Sequence, residues 1–255
     1  HTAKWFEGDD NWHKLVFDFS SNGTFDNPGL MSITVNNSGD NVDVYIDNIV
    51  IEAAPRINGK LFSEWDGKIT GNVELTGAWM KGDCKNTDDP NDWKDVLYND
   101  YEYFYKQADD ALTSVDLRKA QASDVDVNQF FQNPNTIVYA NEAYGHNNVV
   151  VDGTAQKVEL TDANAFNCPE GFTAENVTLT RKLQGGEKGI NSFVLPFKVN
   201  KEELKSTSLA IYSSADNKEV VFTKVTEVDA NTPFITVDYN KGEGEENKLT
   251  WSDKG

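Results

Sequence analysis

Asn148-Val149-Val150-Val151-Asp152-Gly153, running on into the alternating Gln156 to Leu160, is the stretch that decides the fold class. A valine run that meets Asp-Gly and then resumes alternation reads as two strands joined by a hairpin-type turn. The pattern repeats on both sides. Upstream, Asn133-Pro134-Asn135 signals a turn before Thr136-Ile137-Val138-Tyr139-Ala140. Downstream come Asn176 to Arg181, Ser192 to Phe197, Leu209 to Tyr212, Val220 to Val225 and Phe234 to Val237, with Pro196 marking an edge or a bend. Asn200-Lys201-Glu202-Glu203-Leu204 has an N-cap followed by acids and reads as a short helix.

The N-terminal stretch reads the same way. Leu15, Phe17 and Phe19 share one face of an alternating strand, Leu30 to Val35 form a second, and Val42 to Glu52 a third. Ile69 and Val73-Glu74-Leu75 read as a further strand pair. Tyr98 to Tyr105 is ambiguous: it reads as an aromatic strand, with one helical turn at Lys106 to Leu112 as the other element there. No long helical pattern and no repeat of fixed period occurs. The fold class is therefore all-β, a β-sandwich or jelly-roll-like module plus a second Ig-like or sandwich-like β module. The boundaries expected are 1–54, then 55–112 as linker, strands and an acidic loop, then 113–255.

Composition narrows the function. Hydrophobic residues at 38% and aromatics at 11% suffice for packed cores. A formal charge of −19 repels phosphate backbones and anionic bilayers, which argues against nucleic acid as a partner. No stretch approaches the ~20 apolar residues of a membrane span. Cys84 and Cys168 fit no metal spacing and read either as one disulfide or as two free thiols. Only His1, His13 and His146 are present, and no nucleophile elbow, zinc-protease, P-loop or Rossmann motif occurs, so the chain is expected to carry no active site. A carboxylate pair of the glycosidase kind stays open among 42 acids.

Sugar binding needs exposed rings, because the C–H face of a pyranose packs on a π face and polar groups then fix its orientation. Trp5 lies in a polar stretch, and Trp79 and Trp93 flank the acidic stretch from Asp83 to Asp92. With Tyr98 these are the candidate glycan-binding residues, and Tyr101, Tyr103 and Tyr105 are further residues that could line the same face. Asp88, Asp89 and Asp92 could hold calcium, but they lack the EF-hand spacing, and a solvated loop is the plainer reading.

Two stretches resemble known families. Trp12 to Phe19, followed by Asp43-Val44-Tyr45-Ile46-Asp47-Asn48-Ile49-Val50-Ile51-Glu52, resembles the last strands of a jelly-roll carbohydrate-binding module of the xylanase-associated kind. That resemblance implies structural calcium held by Asp47, with Asp43 beside it. It also implies that the earlier strands are supplied elsewhere, either by residues 60–105 or by a partner chain. Gln132 to Tyr139, Asn148 to Gly153, Ala165-Phe166-Asn167-Cys168-Pro169-Glu170-Gly171-Phe172, Phe193-Val194-Leu195-Pro196-Phe197 and Ala230-Asn231-Thr232-Pro233-Phe234 together resemble a β-rich accessory module. That module occurs in long secreted or surface proteins of Gram-negative gut commensals. Its Leu-Pro-Phe phrase usually follows a Trp, where this chain has Ile190-Asn191-Ser192. The resemblances imply a secreted or outer-surface protein and a non-catalytic carbohydrate-binding or spacer segment, with a polysaccharide or glycan and neighbouring domains as partners. The alternatives are a structural adhesin or fibre subunit completed by a partner's strands, and an accessory region of a glycoside hydrolase.

Overall fold

The computed structural model describes residues 54–79, 81–83, 97–122, 125–183, 189–204, 206–239 and 246–255. The expected strands between Leu15 and Glu52 lie outside them. The first half contains β1 (Arg56–Ile57), β2 (Lys60–Leu61), β3 (Ile69–Trp79), β4 (Lys81–Asp83), β5 (Leu97–Asn99), α1 (Asp100–Gln107), β6 (Ala108–Asp116), β7 (Ala120–Ala122), β8 (Ile137–Ala140) and β9 (Val149–Val151). The second half contains β10 (Thr154–Thr161), β11 (Thr173–Lys182), β12 (Ile190–Phe193), β13 (Val199–Asn200), β14 (Ser206–Ala215), β15 (Val220–Val225), β16 (Glu227–Val228), β17 (Phe234–Tyr239) and β18 (Glu246–Lys254). The chain is all-β in class, with one α-helix among the described residues.

A large sheet runs in the order β18-β11-β10-β9-β8-β6-β3-β1-β2, with β7 beside β3. The expected hairpin is present: Val151 pairs antiparallel with Thr154, and Asp152 and Gly153 carry φ of 49° and 75°. Two consecutive left-handed residues match the right-handed twist of the flanking strands, so the tight turn forms without splaying them. Beyond the hairpin the pairing departs from the antiparallel picture that turn spacing suggests. β3, β6, β8 and β9 are successive parallel neighbours, and β10 pairs parallel with β11.

Burial explains the parallel part. All four residues of β8 are buried. Ile137 and Tyr139 enter one core, while Val138 and Ala140 enter another on the opposite face. β9 divides likewise, Val150 to one side and Val149 to the other. Strands covered on both faces read as continuous apolar runs, which is how parallel strands are usually written.

One core lies between the β3-β6-β8 face and α1, around Trp79, Tyr101, Phe104 and Phe130. The other lies between the β10-β11-β18 part of the sheet and a second, antiparallel sheet ordered β12-β17-β14-β15. Phe193 and Phe234 stack there with centroids 5.4 Å apart, and Phe197 meets Trp251 edge-on at 5.2 Å. This half is sandwich-like.

Three local readings change. The aromatic stretch is helical from Asp100 to Gln107, and a strand rather than a helical turn begins at Ala108. Tyr101 and Phe104, three apart, are the buried rings, and Glu102 pairs with Lys106 at 2.5 Å one turn on. Ile69 and Val73 to Leu75 belong to one eleven-residue strand instead of a pair, eased by Gly71 and Gly77 at positive φ. Asn200 to Leu204 is a turn without a helix. Its cap is complete: Glu203 N–H donates to Asn200 Oδ1 (3.0 Å) and Asn200 N–H to Glu203 Oε2 (2.8 Å). Strand β14 starts too soon after it for a helix to propagate. The expected division at 112/113 falls inside β6.

Candidate functional site: an aromatic surface on the helix

Of the residues expected to bind glycan, Trp5 and Trp93 lie outside the described residues, as do Asp43, Asp47 and the acidic loop with Asp88, Asp89 and Asp92. The backbone of Tyr98 is in β5, and its side chain lies outside the described set. Trp79 is a correction. It is 0% exposed, stacked on Phe62 at 4.9 Å and met edge-on by Phe104 at 6.0 Å. Its Nε1 donates to Thr76 O (3.1 Å), and its own carbonyl accepts from Tyr101 Oη (3.2 Å). The strand continues past Leu75 to Trp79, and the indole fills the space between β3 and α1.

Two rings of the aromatic stretch do reach solvent, on the other side of that helix. Tyr103 and Tyr105 are 43% and 38% exposed. Two residues apart on a helix, they flank opposite edges of its outer face, with Glu102 and Lys106 between them. Lys106 Nζ sits 5.4 Å from the Tyr103 ring centroid. Gln132 Nε2 donates to the Tyr105 carbonyl (3.3 Å), so the loop after β7 lies against this end of the helix. On that loop Phe131 stacks on His146 at 4.3 Å and 16°. The result is a set of single rings, the part of a site that stacks on a sugar, with the Glu102–Lys106 ion pair and the Gln132 amide beside them.

A second polar cluster surrounds Tyr139. Arg118 spans Asp116 (Nε to Oδ1 2.9 Å, Nη2 to Oδ2 2.7 Å) and Glu170 (Nη1 to Oε2 2.9 Å, Nη2 to Oε1 2.7 Å). Its guanidinium carbon lies 5.3 Å from the Tyr139 ring centroid. Tyr139 Oη donates to Glu170 O (2.8 Å), and the Cys168 thiol donates to the same carbonyl (2.7 Å). Cys168 is a free thiol, and Cys84 lies outside the described residues. Burial raises the Tyr139 hydroxyl pKa, and the bond to Cys168 adds to this. Burial would also raise Asp116, but the hydrogen bonds and charge of Arg118 outweigh it and leave this carboxyl below its ordinary range. Hydrogen bonding to Arg118 lowers Glu170 as well. Because most of the guanidinium's donors and its charge are taken up by two carboxylates, the cluster is a clamp between β6 and the 165–172 loop and not an anion site. Nothing in the sequence flags it: Asp116 is two residues from Arg118, but Glu170 is 52 residues away, and Tyr139 also lies on another element.

A cleft of about 240 Å³ is lined by Lys198, Asn200, Glu203 and Lys254 among others. Its cations are already engaged, Lys198 with Glu227 at 2.6 Å and Lys254 with Glu203. Among the described residues no three His, Cys, Asp or Glu side chains are grouped to hold a metal. No described helix is long and apolar enough to cross a membrane. Comparison with family models, with curated proteins and with solved structures finds no match.

Proposed function

We propose that this chain is a non-catalytic carbohydrate-binding and spacer segment of a larger secreted or surface-attached glycan-handling protein. The observation that supports the reading is the outer face of α1, where Tyr103 and Tyr105 are exposed with Glu102, Lys106 and Gln132 beside them. Rings of this kind, carried on a helix whose opposite face is packed, have a fixed backbone, so ordering on binding is confined to the side chains when a sugar stacks. The acidic composition and the two sequence resemblances agree with an extracytoplasmic setting. In this reading Asp43 and Asp47 hold a structural calcium ion. Affinity electrophoresis over a panel of plant and host polysaccharides tests it. At least one glycan is expected to retard the protein, and Tyr103→Ala combined with Tyr105→Ala to abolish the retardation with the fold intact. No retardation by any glycan, with or without calcium, would overturn the reading. Retardation lost on chelation and restored by calcium is the expected sign of the metal.

A further inference from the structure

The helix that carries Tyr103 and Tyr105 stands in an acidic part of the chain. Lys106 is the one Lys or Arg in residues 97–112 and 125–147, which include α1, the start of β6 and the loop that meets the helix through Gln132. The same residues carry Asp100, Glu102, Asp109, Asp110, Asp126 and Glu142. Lys106 is itself engaged. Its Nζ lies 2.5 Å from Glu102 Oε1, and hydrogen bonding to that carboxylate holds the ammonium above its ordinary pKa. Arg118 and Lys119, the next cations along the chain, are held by Asp116, Glu170 and Glu74.

We infer that this surface takes a neutral glycan in preference to a uronate-bearing or sulfated one, and that Glu102 sets the preference by occupying Lys106. The inference rests on the glycan-binding reading above and names the class of chain that the site admits. An anionic polysaccharide brings repeated charges, and it needs free cations to offset their desolvation and the repulsion from nearby carboxylates. The only Lys or Arg on the helix is already paired. Exchanging Glu102 for a sugar carboxylate would replace one exposed ion pair by another and leave Glu102 facing the new charge, so an acidic chain gains nothing from Lys106. Ring stacking asks for no cation, because the C–H face of an uncharged pyranose packs on a tyrosine ring as it stands. Two separate effects therefore act against an acidic chain. The net charge of −19 repels it at long range and is screened by salt, whereas the Glu102–Lys106 contact acts at the site.

The test is retention of the intact chain on beads carrying a β-glucan, a xylan or a mannan, each beside its carboxymethylated and sulfated forms, at low and high salt. A neutral form is expected to retain the protein equally at both salts. Its charged forms are expected to retain it less, most of all at low salt, because their repulsion is screened as salt rises. Glu102→Gln, which frees Lys106, is expected to raise the ratio of charged-form to neutral-form retention at low salt. Glu175→Gln makes the same change in net charge at an exposed position of β11, outside this surface, and is expected to leave the ratio as it is. Charged forms that retain the parent more strongly than the neutral form, and lose it as salt rises, would overturn the preference and leave the glycan reading standing. An unchanged ratio in Glu102→Gln, or an equal rise in both variants, would overturn the role of Glu102. No retention on any polymer, neutral or charged, would overturn the glycan reading and this inference with it.

Discussion

Arg118 shows how one side chain can join segments that the sequence keeps apart. It holds Asp116 at the end of β6 and Glu170 in the loop before β11, over the ring of Tyr139. Both carboxyls have folded pKa values below their ordinary range. A depressed folded pKa contributes stability that is present above the unfolded value, about 4 for a carboxyl, and is lost as pH falls through the folded value. Arg118→Met is therefore expected to be less stable than the parent at pH 7, and the difference to shrink as pH drops below about 4. Urea denaturation across that range checks it; a pH-independent difference would mean that Arg118 acts through packing on Tyr139 alone. Trp79 teaches the converse lesson. Its place beside the acidic stretch suggests exposure, but its neighbours in space are Phe62, Tyr101 and Phe104. Only the helix packed across β3 decides that.

At the scale of elements, the β9–β10 hairpin and its entry residue are the most exacting. Gly153 has φ of 75° with open space where a Cβ would go, so Gly153→Ala should cost only the backbone strain, about 1–2 kcal/mol. Asn148 is buried, and its side chain donates to Pro134 O and Glu159 O and accepts from Glu159 N–H. Asn135 does the same between Thr161 and Asn164. Such amides stand in for the ladder where short parallel strands give way to irregular chain. Asn148→Ala strands several buried polar groups at once and should cost about 3 kcal/mol, more than Gly153→Ala. Urea midpoints with unchanged slopes would measure both; the opposite ranking would place the strain, and not the hydrogen bonds, at the centre of the hairpin's stability. The turn was legible because Asp and Gly accept the positive φ that both central positions of a tight hairpin turn need. The helix was not, because a run of Tyr and Phe serves a two-residue and a three-residue period equally well until something packs against it.

Across the whole molecule, β8 and β9 belong to both cores at once. Neither side can lose its packing without uncovering the back of the strands that serve the other. Trp79→Ala on one side and Phe234→Ala on the other should each remove about 3–5 kcal/mol and lower one common thermal transition. Two separate transitions, each moved by one variant alone, would show that the cores unfold independently. The linear order of turns and valine-rich runs determined that the chain would be all-β, and the acidic balance determined its formal net charge of −19. These follow from local stereochemistry and net charge, which each residue carries wherever it sits. Which strands run parallel, which indole is covered and which tyrosines face water were decided only by tertiary structure. A strand's partner and a side chain's exposure depend on segments distant in sequence, and alternation alone does not say which of two faces another layer will cover.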